Sequence, residues 1–600
     1  MLLSIRWDEA LLILLNYLND YPVTITCFLV LLIIALGIAI DYIITPKEIA
    51  NIFPIPGELP FIGHLHLILE NPALIYLTWS KLYNQSIFQI RIGNKRVVVV
   101  NSFDDVVGLW VNHSCQNNSR PLSYTFHDLV SAIQGFTIGS TPASLTFQKK
   151  KKTISQYLNK RQIELKLDTI NRQINIMIGE LWKRDIEFED INLLPYFQKF
   201  VLQTAIFIGY GIELDCYKEH SQFCQEIIDI ENKIIRLRSP ISNLQDSIPL
   251  LRIMPRWFNN SEIARMCGER RNSYMNKLYQ QLQQGLAEDL PQYKNSILGD
   301  LITKTMNTQN NNDDSSDTNC TSHNNCLNEQ EIQSICLTLI SAGLDNTPLS
   351  LNYLFGILSH PKIGEHLQNR AIQDILENSG GNIVLAWEKV LLLQGLMTTN
   401  QQNPMNCQYI EALVLETLRH FTVLPLSLPR LTTKAIRYKD FVIPKETHLF
   451  MNAYSANHDC QIFVNPYKFD PDRWLDPVSN SIKSQFLNFI INNNSKSSSG
   501  HGHQFKSLHS HQHFAFGAGS RMCSGYNLVI KQMYVMIIKM LLIFEIHPPT
   551  NIKKLMELNP FKNNLNPKGT SFEPKTNHIN LKFRKLPNYK SLHELVLHQS

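Results

Sequence analysis

A single cysteine, Cys523, lies in a glycine-rich segment directly before a long apolar segment. Residues 514–530 have the sequence FAFGAGSRMCSGYNLVI, and the apolar pattern of residues 527–544 predicts a buried helix. Glycines allow the backbone to approach a flat cofactor closely, and a helix amino terminus favours negative charge on the sulfur. Arg521 provides a fixed positive charge that can pair with a carboxylate. This arrangement fits a cysteine thiolate ligand, and the alternative is an inert cysteine buried in a turn.

Five residues of this segment stand at the spacing F-x-x-G-x-R-x-C-x-G. They are Phe516, Gly519, Arg521, Cys523 and Gly525, and the pattern resembles the haem-binding signature of the cytochromes P450. The resemblance implies a mainly α fold with small β-sheets and a bound haem b whose iron Cys523 ligates. It also implies that Arg521 pairs with a haem propionate, that Phe516 packs beside the ligand loop, and that Gly519 and Gly525 give clearance at the porphyrin. A thiolate axial ligand donates electron density to the iron and promotes O–O cleavage.

Two further segments support the resemblance. Glu416 and Arg419 stand at the spacing of the family's E-x-x-R motif, which puts them on one helix face. Arg473, in the segment FDPDRW, stands in a position that resembles the family's second arginine motif. The resemblance implies that these three residues form a buried ion triad behind the haem. Arg430 stands where the family often has another propionate partner, and a plain surface arginine is the alternative.

The segment from Ala342 to Pro348 resembles the oxygen-activation motif A/G-G-x-D/E-T of the family. It lies in residues 331–360, whose periodicity predicts one helix. The resemblance implies that Ala342 and Gly343 leave room over the haem for dioxygen and that Asp345 acts as the acid of a proton relay.

This segment departs from the motif at one position. Asn346 occupies the place of the threonine, and Thr347, one residue later, is rotated by about 100 degrees around a helix. Either the Asn346 amide takes over the hydrogen bonding, or Pro348 distorts the helix and frees the carbonyl of Leu344. We expect Asp345 and Asn346 to share the relay. A kinked core helix with no role in a relay is the alternative.

Residues 120–159, together with these motifs, resemble the fungal phenylacetate 2-hydroxylase-like branch of the family. The branch implies insertion of one oxygen atom of O2 into an aromatic ring, with electrons from NADPH through NADPH–cytochrome P450 reductase. The segment from Tyr124 to Phe136 would line the substrate pocket, where Phe126 and Phe136 suit a small ring. Arg120 has three possible partners: a substrate carboxylate, a haem propionate or solvent.

Two departures from the branch leave other classes open. Ala143 replaces a tryptophan that the branch tends to carry, and Asn346 replaces the threonine. A haem-thiolate isomerase or dehydratase, which needs no reductase, is one alternative. A non-catalytic haem-binding protein is another, and the retained acid Asp345 argues against it.

The first 45 residues are predicted to be a membrane anchor. The uncharged segment Val23 to Ile40 would form roughly 27 Å of helix, close to the thickness of the bilayer core. The acidic residues before it disfavour a cleaved signal peptide, and Lys47 just after it favours a cytoplasmic body. We therefore expect a single-pass protein of the endoplasmic reticulum membrane, with residues 46–600 as its haem-thiolate catalytic domain.

The composition narrows the function further. The net charge of +5 is too small to indicate nucleic-acid binding. Eleven scattered cysteines without a C-x-x-C predict no disulfide framework and a reducing compartment.

Three other segments carry predictions of structure. Residues 87–102 predict a β-hairpin around Gly93-Asn94, and the prolines of residues 54–64 predict an extended hinge. The basic run Lys149–Lys152 predicts a solvated helix face, although the resemblance places it on a helix that flanks the haem and faces the redox partner.

Two polar insertions, residues 303–328 and 492–513, predict surface loops. The second contains five irregularly spaced histidines, for which a low-complexity insertion is favoured over a metal site. They are His501, His503, His509, His511 and His513.

Overall fold

The computed structural model describes residues 22–183, 189–254, 260–313, 327–389, 406–479, 481–483, 513–585, 592 and 594. Within these residues the chain is mainly α-helical with three small β-sheets, which confirms the predicted fold class. The α-helices are α1 (Pro22–Ile44), α2 (Pro72–Leu82), α3 (Phe103–Val106), α4 (Leu145–Tyr157), α5 (Lys160–Glu164), α6 (Leu167–Trp182), α7 (Leu194–Tyr210), α8 (Ser221–Arg236), α9 (Ser261–Ala287), α10 (Pro291–Lys294), α11 (Ile297–Asp313), α12 (Glu329–Ser341), α13 (Gly343–Leu358), α14 (Gly364–Asn378), α15 (Ile383–Lys389), α16 (Gln408–Phe421), α17 (Ala453–Asn457) and α18 (Tyr526–Ile543).

The strands form one sheet of five and two sheets of two. They are β1 (Phe53–Pro54), β2 (Ile87–Ile92), β3 (Lys95–Val100), β4 (Arg430–Leu431), β5 (Ile436–Tyr438), β6 (Phe441–Ile443), β7 (His448–Met451), β8 (Phe544–His547) and β9 (Asn580–Phe583). The large sheet has the order β1-β2-β3-β7-β4, and the small sheets pair β5 with β6 and β8 with β9. The antiparallel β2–β3 pair is the hairpin that the sequence predicted.

Helix α1 has the length and composition of a membrane anchor. Its window Thr26–Ile44 has 19 residues, none of them buried in the protein, and spans roughly 29 Å. Among the described helices, α18 is also long and apolar enough to cross a membrane, but 67% of it is buried. The packing of α18 against α6, α14 and α16 identifies it as a core helix.

The end of α1 is tied to the body of the protein by an ion pair. Asp41 accepts hydrogen bonds from the Arg91 guanidinium at 2.5 and 2.6 Å and from the Phe61 backbone N–H at 3.1 Å. Arg91 lies in β2 and also pairs with Glu58 at 3.2 Å. The proline-rich residues 54–64 are therefore held between the anchor and the β2–β3 hairpin.

The first polar insertion is partly helical, which corrects the prediction of a loop. Residues 303–313 form the last turns of α11. The hydroxyls of Thr303 and Thr305 donate to the carbonyls of Gly299 and Leu301, both at 2.8 Å. Threonine can bond the carbonyl one turn earlier without leaving the helix, so a polar composition alone did not end α11. Residues 314–326 lie outside the described residues.

The second polar insertion ends in the core. His513 is buried, its ring lies 6.4 Å from that of Trp474 and 5.9 Å from that of Phe516, and burial lowers its pKa to about 3. It is thus a packed neighbour of the cysteine segment and not part of a surface loop. The other four histidines of the insertion lie outside the described residues, and no group of three or more possible metal ligands occurs within the described ones.

One disulfide joins Cys216 to Cys224, eight residues apart, at the start of α8. The sequence predicted no disulfide framework, and this single bond was missed because a spacing of eight residues carries no geometric signal. The cysteine of the glycine-rich segment, Cys523, has a free thiol.

Candidate functional site

Cys523 lies in a tight loop just before α18. Its backbone N–H donates to the carbonyl of Phe516 at 3.0 Å, and the Phe516 ring packs on Tyr526 at 4.8 Å. The Cys523 side chain is exposed, although it lies deep enough for burial to raise the pKa of the thiol. The Gly525 N–H and the charge of Lys151 oppose that shift. The loop therefore presents an uncovered sulfur in the protein interior.

Gly519 lies where two backbones approach each other closely. It has a φ of +60°, and a Cβ at this position would lie 2.0 Å from the carbonyl oxygen of Trp110. Only glycine tolerates both the left-handed conformation and this approach of two backbones. Gly525 caps α18, where a Cβ would make an ordinary contact of 3.6 Å with the Cys523 sulfur.

Three arginines converge beside this loop, and all are buried. Arg430 donates to Asn117 Oδ1 at 2.7 Å and to the Ala518 carbonyl. Arg521 donates to the carbonyls of Asn118 at 2.6 Å and Thr141 at 2.8 Å.

The third arginine, Arg120, donates to the carbonyls of Gly139 at 3.0 Å and of Leu428 and Pro429, both at 2.7 Å. Burial excludes the surface alternatives that the sequence left open for Arg120 and Arg430.

The three guanidinium groups destabilise one another's charge. Burial lowers the pKa of Arg120 to about 10 and that of Arg521 to about 9, and Arg120 adds to the shift of Arg521. The pKa of Arg430 lies well below its ordinary value because of burial and the charges of Arg120 and Arg521. No carboxylate in the described part of the chain forms an ion pair with any of them. A buried cation without a counter-charge is unfavourable, so the cluster fits a ligand with carboxylate groups.

Two lysines of α4 point inward and not to solvent, which corrects the prediction for residues 149–152. Lys150 is buried and donates to the hydroxyls of Thr141 at 2.9 Å and Ser334 at 2.8 Å. Four consecutive helix residues, 100° apart, must cover both faces of a helix that packs on the core. Lys152 remains exposed.

Lys151 joins the charge cluster at the cysteine loop. It donates to the carbonyls of Ser520 and of Met522, the latter at 3.2 Å. Burial, followed by the charges of Arg521 and Arg430, lowers its pKa to about 8, while the charge of Cys523 raises it.

The predicted helix over residues 331–360 is two helices, α12 and α13, separated at Ala342. The interruption lies six residues before Pro348, which is inside α13. Asn346 Nδ2 donates to the Ala342 carbonyl at 3.3 Å, while Asn346 Oδ1 is buried without a partner. A side-chain amide that bonds the carbonyl one turn earlier competes with the backbone ladder, so Asn346 explains the position of the break better than Pro348 does.

The small residues of this segment differ in their surroundings. Ala342 is exposed, whereas a Cβ on Gly343 would lie 3.2 Å from Val201 Cγ1 of α7. Gly343 therefore allows α13 to approach α7 closely. Thr347 is buried in α13.

Asp345 is a buried acid with few compensating contacts. Burial raises its pKa to about 6, and the charge of Glu573 adds to this shift. A hydrogen bond from Ser571 and the charges of Arg238 and Arg236 oppose it. Near neutral pH this carboxyl can therefore exchange a proton, as a relay acid must.

The predicted pocket segment forms a π-helical turn, Tyr124–Val130. The ring of Phe126 lies 5.1 Å from that of His127, which lies 4.9 Å from that of Phe136. The Arg238 guanidinium lies over the Phe126 ring at 4.5 Å. The structure therefore brings Phe126 and Phe136 into one aromatic row, next to an arginine that sequence analysis missed.

The ion triad is assembled behind the cysteine loop. Glu416 accepts hydrogen bonds from Arg419 at 2.8 and 2.9 Å and from Arg473 at 3.1 Å. The Trp474 indole N–H, at 3.0 Å, and the Asp470 backbone N–H, at 2.9 Å, also donate to Glu416. Because Glu416 and Arg419 are fully buried, their charges depend on these partners.

The site residues together fit a haem. Haem carries two propionate carboxylates and an iron that accepts a thiolate. Here an uncovered cysteine sulfur lies beside buried arginines that no carboxylate of the described chain pairs with. A family model described as "Cytochrome P450" matches residues 53–573. The chain therefore belongs to the cytochrome P450 family.

Individual relatives agree with this assignment. Phenylacetate 2-hydroxylase of Emericella nidulans is 33% identical over 90% of this chain and 91% of its own length. The 3-hydroxyphenylacetate 6-hydroxylase of the same organism is 28% identical over 94% of this chain and 96% of its own. Human cytochrome P450 1A1 is 24% identical over 85% and 89%. The protein is thus an oxidoreductase, a cytochrome P450 monooxygenase, with a thiolate-ligated haem, O2 and electrons from a redox partner.

We expect loss of the triad acid to be more damaging than loss of one arginine. Glu416→Ala leaves two arginines without their shared carboxylate and should lower the free energy of unfolding by about 3–5 kcal/mol. Arg473→Ala leaves Glu416 paired with Arg419 and should cost less, about 1–3 kcal/mol. Both variants should purify with reduced haem content.

Arg370→Ala is the matched control, since its pair with Asp472 is partly exposed to solvent and such pairs contribute about 0–1 kcal/mol. Haem content and denaturant unfolding measure the effects. Wild-type haem content and stability in Arg473→Ala would contradict a structural role of the triad.

The raised pKa of Asp345 predicts a pH-dependent stability. The folded protein retains this proton up to pH about 6, whereas the unfolded chain loses it near 3.8. The stabilisation is therefore complete below pH about 4 and is lost as pH rises through about 6. At 1.36 kcal/mol per pKa unit the loss is about 3 kcal/mol.

The melting temperature of the wild type relative to Asp345→Asn should therefore fall between pH 4.5 and pH 7. Exposed Asp168 on α6 supplies the control substitution Asp168→Asn, which should show no such trend. If the difference in melting temperature between the wild type and Asp345→Asn does not change with pH, the pKa of Asp345 is not raised.

Proposed function

We propose that this protein is a membrane-anchored monooxygenase that hydroxylates the ring of a small aromatic carboxylic acid, with electrons from NADPH through NADPH–cytochrome P450 reductase. The observation that carries the haem-thiolate chemistry is the exposed sulfur of Cys523 beside buried arginines that form no ion pair with a carboxylate of the described residues. The substrate class follows from two relatives whose names state ring hydroxylation of phenylacetates and which align over at least nine-tenths of both chains.

In this proposal the cysteine loop and the arginine cluster hold the cofactor. Cys523 ligates the iron, and Phe516 packs beside the loop. Arg430 and Arg521, supported by Arg120, would hold the two propionates through charge-assisted hydrogen bonds. The haem, when bound, supplies the activation of O2 that no side chain can provide.

The acid of the relay is Asp345, because it is buried and its pKa of about 6 lets it donate and recover a proton at neutral pH. Asn346 has one free amide oxygen and holds the interrupted backbone at Ala342, so it can position a water beside the break. Thr347 points in a different direction around the helix from Asp345 and Asn346 and serves as a packing residue close to the relay.

The substrate lies against the aromatic row of Phe126 and Phe136, with Ala342 and Gly343 leaving space at the end of α12. An aromatic ring gains area and edge-to-face contacts in such surroundings. The family relationship and α1 support placement in the endoplasmic reticulum membrane, with the catalytic body on the cytoplasmic side where a reductase can reach exposed Lys152.

An isomerase or dehydratase remains a second candidate because Asn346 replaces the motif's threonine. It differs in one measurable respect, since it would transform its substrate without NADPH.

Turnover with purified NADPH–cytochrome P450 reductase tests the proposal. With phenylacetate we expect NADPH consumption to rise and a ring-hydroxylated product to form. Under 18O2 this product should contain one 18O atom, which mass spectrometry detects. Cys460→Ser, which changes an exposed cysteine, should leave this turnover unchanged. Product that forms without NADPH, or NADPH consumption unaffected by every aromatic acid tried, would overturn the proposed reaction.

A further inference from the structure

A cavity of about 140 Å3 lies between the turn Tyr124–Val130, the end of α8 and the five-stranded sheet. Its apolar lining includes Ile92, Val97, Leu122, Phe126, Leu428 and Phe450. An apolar protein cavity of about 150 Å3 can bind benzene, so this cavity has the size for a single aromatic ring. It shares Phe126 with the aromatic row of the proposed site.

The charges that line the cavity are predominantly positive. Lys95, Arg120 and Arg238 face it together with one acid, Asp246. Its two histidines are neutral at physiological pH, since burial lowers the pKa of His448 to about 3 and also lowers the pKa of His127. The lining therefore favours an anion over a cation or a neutral molecule.

Most of these ionisable groups already form hydrogen bonds with other groups of the protein. The Asp246 carboxylate accepts from the N–H and the hydroxyl of Thr125 at 2.7 and 2.8 Å. Lys95 donates to the Asp246 backbone carbonyl at 3.0 Å. Arg120 donates to three backbone carbonyls and belongs to the arginine cluster of the haem site.

Arg238 differs from its neighbours because its guanidinium has no hydrogen bond within the described residues. Its Nε is buried without a hydrogen-bond partner, and its guanidinium lies over the Phe126 ring at 4.5 Å.

The acids near Arg238 are occupied by other groups. Glu231 is bound by Arg271 at 2.8 and 2.5 Å and by Tyr274, and Asp345 interacts with Ser571. Burial lowers the pKa of Arg238 to about 10, so it remains a cation near neutral pH.

We infer that Arg238 binds the carboxylate of the substrate, with the substrate ring packed against Phe126 in this cavity. The inference rests on the proposed function and names the side chain that makes the enzyme prefer a carboxylic acid as its substrate. A guanidinium offers two parallel N–H donors that match a carboxylate, and a bound carboxylate would neutralise a charge that forms no ion pair within the described residues. The same contact explains selectivity against a neutral analogue, which would leave that charge unpaired.

Ligand binding to the haem-loaded, full-length protein tests the inference. Phenylacetate and its neutral isostere phenylacetamide are titrated, and dissociation constants are taken from the change in haem absorption. We expect Arg238→Gln to weaken phenylacetate binding about ten- to a hundredfold, and to change phenylacetamide binding less than about threefold.

The matched control is Arg252→Gln. Arg252 also lies over an aromatic ring, that of Tyr124 at 4.4 Å, and donates to the Gln245 carbonyl, but it does not line the cavity. It should leave both dissociation constants within about threefold of wild type.

Arg238→Lys provides a second variant that keeps the positive charge and loses the two parallel N–H donors of the guanidinium. It should weaken phenylacetate binding by a smaller factor, about three- to tenfold. If Arg238→Gln loses its haem, the inference is tested with Arg238→Lys instead.

Three results would overturn the inference: unchanged phenylacetate binding in both Arg238 variants, an equal loss of both ligands, or equal affinity of the wild type for the acid and the amide. Arg238-dependent binding without hydroxylated product would instead contradict the proposed reaction and leave the assignment of Arg238 intact.

Discussion

Uncompensated positive charge in the protein interior is the constraint on which the site depends. Arg120, Arg430 and Arg521 are buried together, Lys151 lies beside them, and their pKa values are lowered by burial, in most cases together with mutual repulsion. Carbonyl oxygens and one amide satisfy their N–H groups but do not neutralise their charge. A cofactor with two carboxylates accepts hydrogen bonds from these groups and also neutralises their charge. Its binding energy and the stability of this region are therefore coupled.

The fold positions this cluster from four distant parts of the sequence. The cysteine loop before α18 provides Arg521, α4 provides Lys151, β4 provides Arg430 and the segment after α3 provides Arg120. Close backbone contact makes this possible, as at Gly519, whose Cα lies against the Trp110 carbonyl. The buried triad around Glu416 holds the opposite side of the loop, where Trp474 packs near His513.

Local sequence was sufficient for features that depend on short spacing. The cysteine loop, the β2–β3 hairpin, the apolar α1 and the pairing of Glu416 with Arg419 all follow from residues close together in the chain. Arg473 lies more than fifty residues further on, and only the resemblance to a family connected it with Glu416.

Features that depend on tertiary packing were not accessible in the same way. The lysines of α4 were expected in solvent, because nothing in a run of like charges shows which side of a helix meets the core. Pro348 was expected to mark the distortion of its helix, but the break lies at Ala342, whose carbonyl accepts a hydrogen bond from the Asn346 side chain. Nothing in the sequence indicated Arg238, because the features that single it out appear only in the folded chain: its position at the cavity and a guanidinium without a hydrogen bond to the described residues.

The most direct test of the account is the spectrum of the carbon monoxide adduct of the reduced protein. The wild type and Cys460→Ser should show the shifted Soret band that is diagnostic of a thiolate-ligated haem, and Cys523→Ser should lose it. A wild-type adduct without that band, or a Cys523→Ser adduct that keeps it, would contradict the assignment of Cys523 as the iron ligand.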